Sequence, residues 1–196
     1  MVEVRIKNEN WKKDLQEAAM NTINKKWDEG KELTPELFKK YILSEHSPIR
    51  GVELRIIMTD IPYYNSVHFA RHVHSIPYVT THRPDRTGQE RSINDICTHI
   101  FDTNIQGLVD MARKRLCLDK CDKITYSFMK EIKQILINNS DPYLKVLGEM
   151  LVPNCIYRGG CPEFKSCGFD KKISHLCYDD YNIKNRYLEY NNYMNH

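Results

Sequence analysis

The chain has 196 residues, 41% hydrophobic and 28% charged, which is enough to bury one ordinary core and is unlike the composition of disordered chains. A net charge of only +3 supplies no global field for coating nucleic acid, so any anion site must come from local clustering. No apolar run approaches the roughly 20 residues that cross a bilayer, the start has no leader-like segment, and seven cysteines make an odd number; a cytoplasmic protein with reduced thiols is expected.

In chain order, Trp11, Leu15, Ala18, Ala19, Ile23 and Trp27 recur at three- and four-residue steps, predicting a helix from Asn10 to Asp28. Thr34-Pro35 caps and opens a second, to about Leu43. Val52, Leu54, Ile56 and Met58 alternate with Glu53 and Arg55, the pattern of a half-buried strand over Gly51–Thr59. Asp60-Ile-Pro62 opens a helix to about His72, placing His68, Arg71 and His72 on one face. Ile76-Pro77 through Arg83-Pro84 is proline-broken and must be loop or short extended structure. Isoleucines at Ile93, Ile96, Ile100 and Ile105 predict a helix from Ser92 to Cys117, and Ile124, Phe128, Ile132 and Ile135 another from Lys123 to Asn138. Beyond Asp141-Pro142 the chain turns irregular, and a Tyr/Asn-rich stretch from Tyr178 is expected to be a solvated tail. Residues 1–177 are expected to form one domain and 178–196 the tail.

Five of the eight histidines fall between His68 and His99. Arg71, His72, His74, His82 and Arg83, with the hydroxyls of Ser75, Thr80 and Thr81, occupy thirteen residues. Imidazoles and guanidiniums at this density suit phosphate or carboxylate binding better than packing.

The cysteines form a second constellation: Cys117 and Cys121, then Cys155, Cys161 and Cys167, with His175 and Cys177 beyond. Cys155, Cys161, Cys167 and Cys177, on a glycine-rich stretch, are candidate zinc ligands. Buried, reduced thiols are the other reading, since none shows the two-residue spacing of zinc knuckles.

His68-x-x-Arg71-His72 followed by Thr81-x-Arg83 resembles the signature of flavin-dependent thymidylate synthases, with Arg71, His72, Thr81 and Arg83 in register. Upstream, Glu45-His46-Ser47-Pro48 followed by a strand and a helix is similar to that family's histidine-rich turn. Downstream, Asn104 through Arg115 resembles its late helix, which delivers a nucleotide-binding arginine; Arg115 matches, with Arg113 close by. Val73, Ile76 and Tyr78 stand where the family has Arg, Ser and Asn.

The resemblance, over about Glu45–Ile135, implies an α/β fold of the α+β type with a small mixed or antiparallel sheet and several helices. It implies reductive methylation of a uracil deoxynucleotide, with FAD as cofactor and methylene-tetrahydrofolate and NADPH as co-substrates, in a homotetramer. His46, His68, Arg71, His72 and His74 would then hold the flavin. Ser75, Arg83, Arg113 and Arg115 would bind the nucleotide, and Thr81 and Arg83 would sit at the reacting ring. Arg83→Ala is expected to weaken anion binding more than Arg50→Ala. A non-catalytic nucleotide or nucleic-acid binder on the same fold is the alternative, and a zinc-stabilised structural module the second.

Overall fold

A computed structural model describes residues 1–92, 94–174 and 183–194. They form a mixed α/β fold with one four-stranded antiparallel sheet and ten α-helices, and divide into two compact units, Met1–Leu108 and Val109–His196.

The first unit opens with strand β1 (Val2–Ile6), whose alternating Val2 and Val4 turn inward. Helix α1 (Trp11–Asn21) ends seven residues before the expected Asp28. Its successors Thr22, Ile23 and Asn24 are poor helix formers, and Asn24 adopts a positive φ of 55°, which stops the helix. Helix α2 (Pro35–Leu43) matches its expectation, with the Thr34 hydroxyl accepting from the Leu37 amide. The rings of Trp11 and Phe38 meet at 5.3 Å in the core.

A 3-10 turn, Ser47–Gly51, leads into β2 (Glu53–Pro62), which starts two residues later and ends three residues later than the predicted strand. The β2 ladder slips between Met58 and Ile61, where Asp60 takes a φ of 59°. Beyond that bulge pairing resumes at Ile61 and runs through Pro62, so helix α3 (Tyr63–Ala70) starts at Tyr63. Strand β3 (Ile76–Val79) occupies the proline-rich segment, and α4 (Pro84–Thr87) is a single turn.

The expected Ser92–Cys117 helix is corrected: strand β4 (Ile96–Asn104) fills its first half, and only Ile105–Arg115 is helical, as α5. Ile96 and Ile100 are four apart, a spacing that returns to one face of a helix and of a strand alike. The deciding pattern is the period-two burial of Cys97, His99, Phe101 and Thr103.

Strand order is β1-β2-β4-β3. Val4, Ile56 and Phe101 are in register and buried on one face, while Arg5, Arg55, Asp102 and Ile76 line up on the other. The Thr80 amide bonds to the Thr98 carbonyl, so by alternation Pro77 points its missing donor at the open edge of β3, blunting further pairing.

The unit boundary falls within α5. The second unit contains α6 (Lys123–Ile137), capped by the Asp122 carboxylate, and α7 (Pro142–Met150), capped by Asp141 with Pro142 at its first position. Helices α8 (Asn154–Arg158), α9 (Phe169–Ser174) and α10 (Ile183–Met194) follow. The irregular stretch expected after Asp141 is thus partly helical. The solvated tail is corrected over 183–194: Tyr187 and Tyr190, one helical turn apart, are buried. Tyr178 and Tyr181 lie outside the described residues.

The Lys133 ammonium, fully buried, donates to the carbonyls of Gly148 and Leu151 at the end of α7 and to Asn191 Oδ1 on α10, at 2.9, 2.9 and 2.6 Å. The Asn191 amide donates in turn to the Glu149 carbonyl. Arg186 donates to the carbonyls of Ile156 and Tyr157, closing the end of α8. Cations therefore cap two helix C-termini and fasten α10.

Candidate functional site

In the first unit, helix α3 ends in a tight turn, with the His72 amide bonded to the Phe69 carbonyl and the Ser75 amide to that of His72. Arg71 caps the helix and is exposed; His68 and His72 are half-buried, and His74 is exposed. The turn packs on the first turn of α5 at Gly107, where an added Cβ would lie 2.4 Å from Thr103 Oγ1 and 2.7 Å from His74 Cβ. Only glycine allows that approach. Asn104 starts α5, its side-chain oxygen accepting from the Gly107 amide at 2.8 Å.

Beside this contact lies a cleft of about 290 Å³ lined by Lys7, Arg50, Val73, His74, Ile76 and Asn104, together with Glu53, Asp102 and Thr103. Asp102 is its electrostatic anchor. Arg55, directly opposite on β2, grips the carboxylate through Nε and Nη2 at 2.6 and 2.7 Å, and Lys7 adds a contact at 3.0 Å. The Arg55 hydrogen bond, helped by Lys7, holds Asp102 at about 2, against the opposing effect of burial. Tyr78 lies under the Arg55 guanidinium at 5.8 Å. With Asp102 so paired, Arg50 and His74 offer an anion its favourable contacts.

The other predicted residues of this unit are more dispersed. Thr81 and Arg83 follow β3 in an extended segment; the Thr81 hydroxyl accepts from the Arg83 amide, and the exposed Arg83 guanidinium forms a bidentate pair with Asp85 at 3.0 and 2.8 Å. Ser75 Oγ is buried with no hydrogen-bond partner among the described residues. His46 precedes the 3-10 turn, 3.4 Å from the Thr22 hydroxyl and 5.3 Å from the Tyr41 ring. The adjacent Glu45, at a φ of 50°, accepts from Gln106 at 3.1 Å.

Arg113 and Arg115 belong to the second unit, on the last turn of α5. Arg113 stacks 3.5 Å above the Tyr157 ring and pairs with Asp110 at 2.8 Å. Both arginines line a partly open cavity of about 130 Å³ shared with Cys117, Cys155, Cys161 and Cys167. Candidate nucleotide arginines and candidate metal cysteines, argued separately from the sequence, thus meet in one cavity.

Burial pushes the Cys155 thiol up to about 12, which opposes thiolate formation. Among the described residues no three His, Cys, Asp or Glu side chains converge in metal-holding geometry, and their six cysteines are free thiols. Cys177, the fourth candidate zinc ligand, lies outside the described residues.

Sequence reasoning missed Lys7, Arg50, Asp102 and Gly107 as parts of the cleft. Lys7 follows an unpredicted strand, and Asp102 was hidden inside a predicted helix. Arg50, expected to be the less important arginine, lines the cleft. No helix among the described residues is long and apolar enough to cross a membrane.

No family model and no curated protein matches the chain. Among solved structures, its fold is similar to that of a UMP/dUMP methylase, PolB from Streptomyces cacaoi, bound with 5-Br dUMP. The TM-score is 0.51 at 10% identity, over 74% of this chain and 94% of that one. At that identity the likeness is one of fold.

Proposed function

We propose that the protein is a nucleotide methyltransferase that adds a methyl group to the ring of a uracil nucleotide, using FAD, a methylene-tetrahydrofolate carbon and NADPH. The observation that carries this reading is the shared fold with a methylase of UMP and dUMP, supported by the register of Arg71, His72, Thr81 and Arg83 with the flavin-dependent signature.

The cleft fits the anionic part of a flavin. Arg50 and His74 supply donors for a pyrophosphate, and Gly107 keeps the wall close. His68, Arg71 and His72 extend this polar surface along the end of α3. When bound, FAD supplies the hydride chemistry. The chain's own task is to bind and orient: Arg83 addresses the nucleotide phosphate and the Thr81 hydroxyl the base. Fixed donors of this kind lower a barrier by preorganisation, since they need not reorganise as charge develops.

The protein should be yellow when purified, or bind added FAD at micromolar concentration with a visible flavin spectrum, and should bind deoxyuridine monophosphate. Absence of both flavin and nucleotide binding would overturn the reading. Val73, Ile76 and Tyr78, exposed by 93%, 60% and 51%, favour the second reading of a non-catalytic binder; salt-dependent nucleotide binding without turnover would establish that instead. A homotetramer is the assembly this reading carries, and sedimentation measures it.

A further inference from the structure

Between Thr81 and Arg83 stands a histidine that the motif leaves without a role. His82 Nδ1 lies 3.3 Å from Asp95 Oδ2, with the two side chains only 20% and 23% exposed. Asp95 is itself fixed: its carboxylate accepts from the Ser92 amide at 3.0 Å, its amide donates to the Ser92 carbonyl, and its carbonyl accepts from the Tyr63 amide at 2.8 Å. The Tyr63 ring stands edge-on to the imidazole at 5.3 Å, and Arg91 donates to the His82 carbonyl. With the carboxylate at Nδ1, the proton of the neutral ring resides there and Nε2 carries the lone pair. That Nε2 is buried and has no partner among the described residues. An oriented imidazole with an unused, water-shielded acceptor is costly for packing and apt for taking a proton.

We propose that His82 is the proton acceptor of this site and that Asp95 is its positioning residue. The assignment rests on the methyl-transfer reading above. Carbon substitution at C5 of a uracil ring displaces the hydrogen there as a proton, whatever the one-carbon donor. The ring's C5=C6 electrons form the new carbon–carbon bond to the iminium carbon of a methylene-level donor, whose carbon–nitrogen π pair passes to the donor nitrogen. The C5–H bond then breaks, its electron pair restores C5=C6, and the proton passes to His82 Nε2, giving an imidazolium stabilised by Asp95.

The test is release of tritium from a uracil nucleotide labelled at C5, by the full-length holoenzyme supplied with a one-carbon donor, with nucleotide affinity measured in parallel. His82→Gln should cut release about 100-fold or more, in line with general-base contributions, with nucleotide affinity unchanged. Asp95→Asn should lower kcat about tenfold at constant KM, because the amide no longer fixes the tautomer, and Asp95→Glu should recover part of that loss. Release by His82→Gln at the wild-type rate overturns the proposal, as does a wild type that binds the nucleotide yet releases no tritium. A wild type that binds no nucleotide overturns the methyl-transfer reading and this assignment with it.

Discussion

His99 shows how much a single residue discloses. It is fully buried on β4, edge-on to Phe69 and Phe101, and neither ring nitrogen has a partner among the described residues. Burial lowers its pKa from 6.5 to about 4. The unfolded chain therefore takes up a proton that the folded chain refuses, so this contribution is complete above pH about 6.5 and is lost as pH falls toward 4. The loss should be on the order of 3 kcal/mol, and His99→Leu should flatten the decline of denaturation midpoint with acidification. Gly107→Ala sets two effects in opposition. Alanine is the better helix former by about 1 kcal/mol, but its Cβ would collide with Thr103 and His74. Overpacking of that kind costs about 1–3 kcal/mol, so urea unfolding should show net destabilisation; a more stable variant would mean that the turn gives way. At the cleft, Arg50→Ala should weaken FAD binding about tenfold, as loss of a charge-assisted contact does, while Arg83, already paired with Asp85, is the comparison. The histidine and arginine cluster was visible in the sequence, but the Asp102 anchor was not, because its partners Arg55 and Lys7 are 47 and 95 residues away.

Elements were legible where local chemistry decided them. Thr34-Pro35 announced α2, and the apolar period announced α6. The same reading failed at β4, where four-residue isoleucine spacing satisfies two geometries and only sheet pairing chooses between them. It failed again at α10, which has a weak apolar stripe and is held by tertiary contacts to Lys133 and Glu149 rather than by propensity. Burial pushes Lys133 down to about 7, against the opposing charge of Glu149, and its ammonium rests on three oxygen acceptors. Asn191→Ala removes one of those acceptors and the donor to Glu149, and should destabilise by about 1–3 kcal/mol. Hydrogen exchange should quicken first in residues 183–194; uniform quickening across both units would contradict the role given to Asn191.

At the scale of the molecule, the four-stranded sheet, the turn after α3 and the cleft beside α5 position the residues that the proposed function assigns to ligand binding, on a fold similar to that of a UMP/dUMP methylase. The fold class was legible because one clear strand and several amphipathic helices bound the choices. The site was legible only as a set of residues, since the spacing of Arg71, His72, Thr81 and Arg83 says nothing about Lys7 or Arg50 meeting His74. The most direct measurement is analysis of the nucleotide product after incubating the protein with deoxyuridine monophosphate, FAD, methylene-tetrahydrofolate and NADPH. A nucleotide methylated on the uracil ring, formed only when the one-carbon donor is present, is the predicted result. Unchanged deoxyuridine monophosphate, from protein that carries bound flavin, would contradict it.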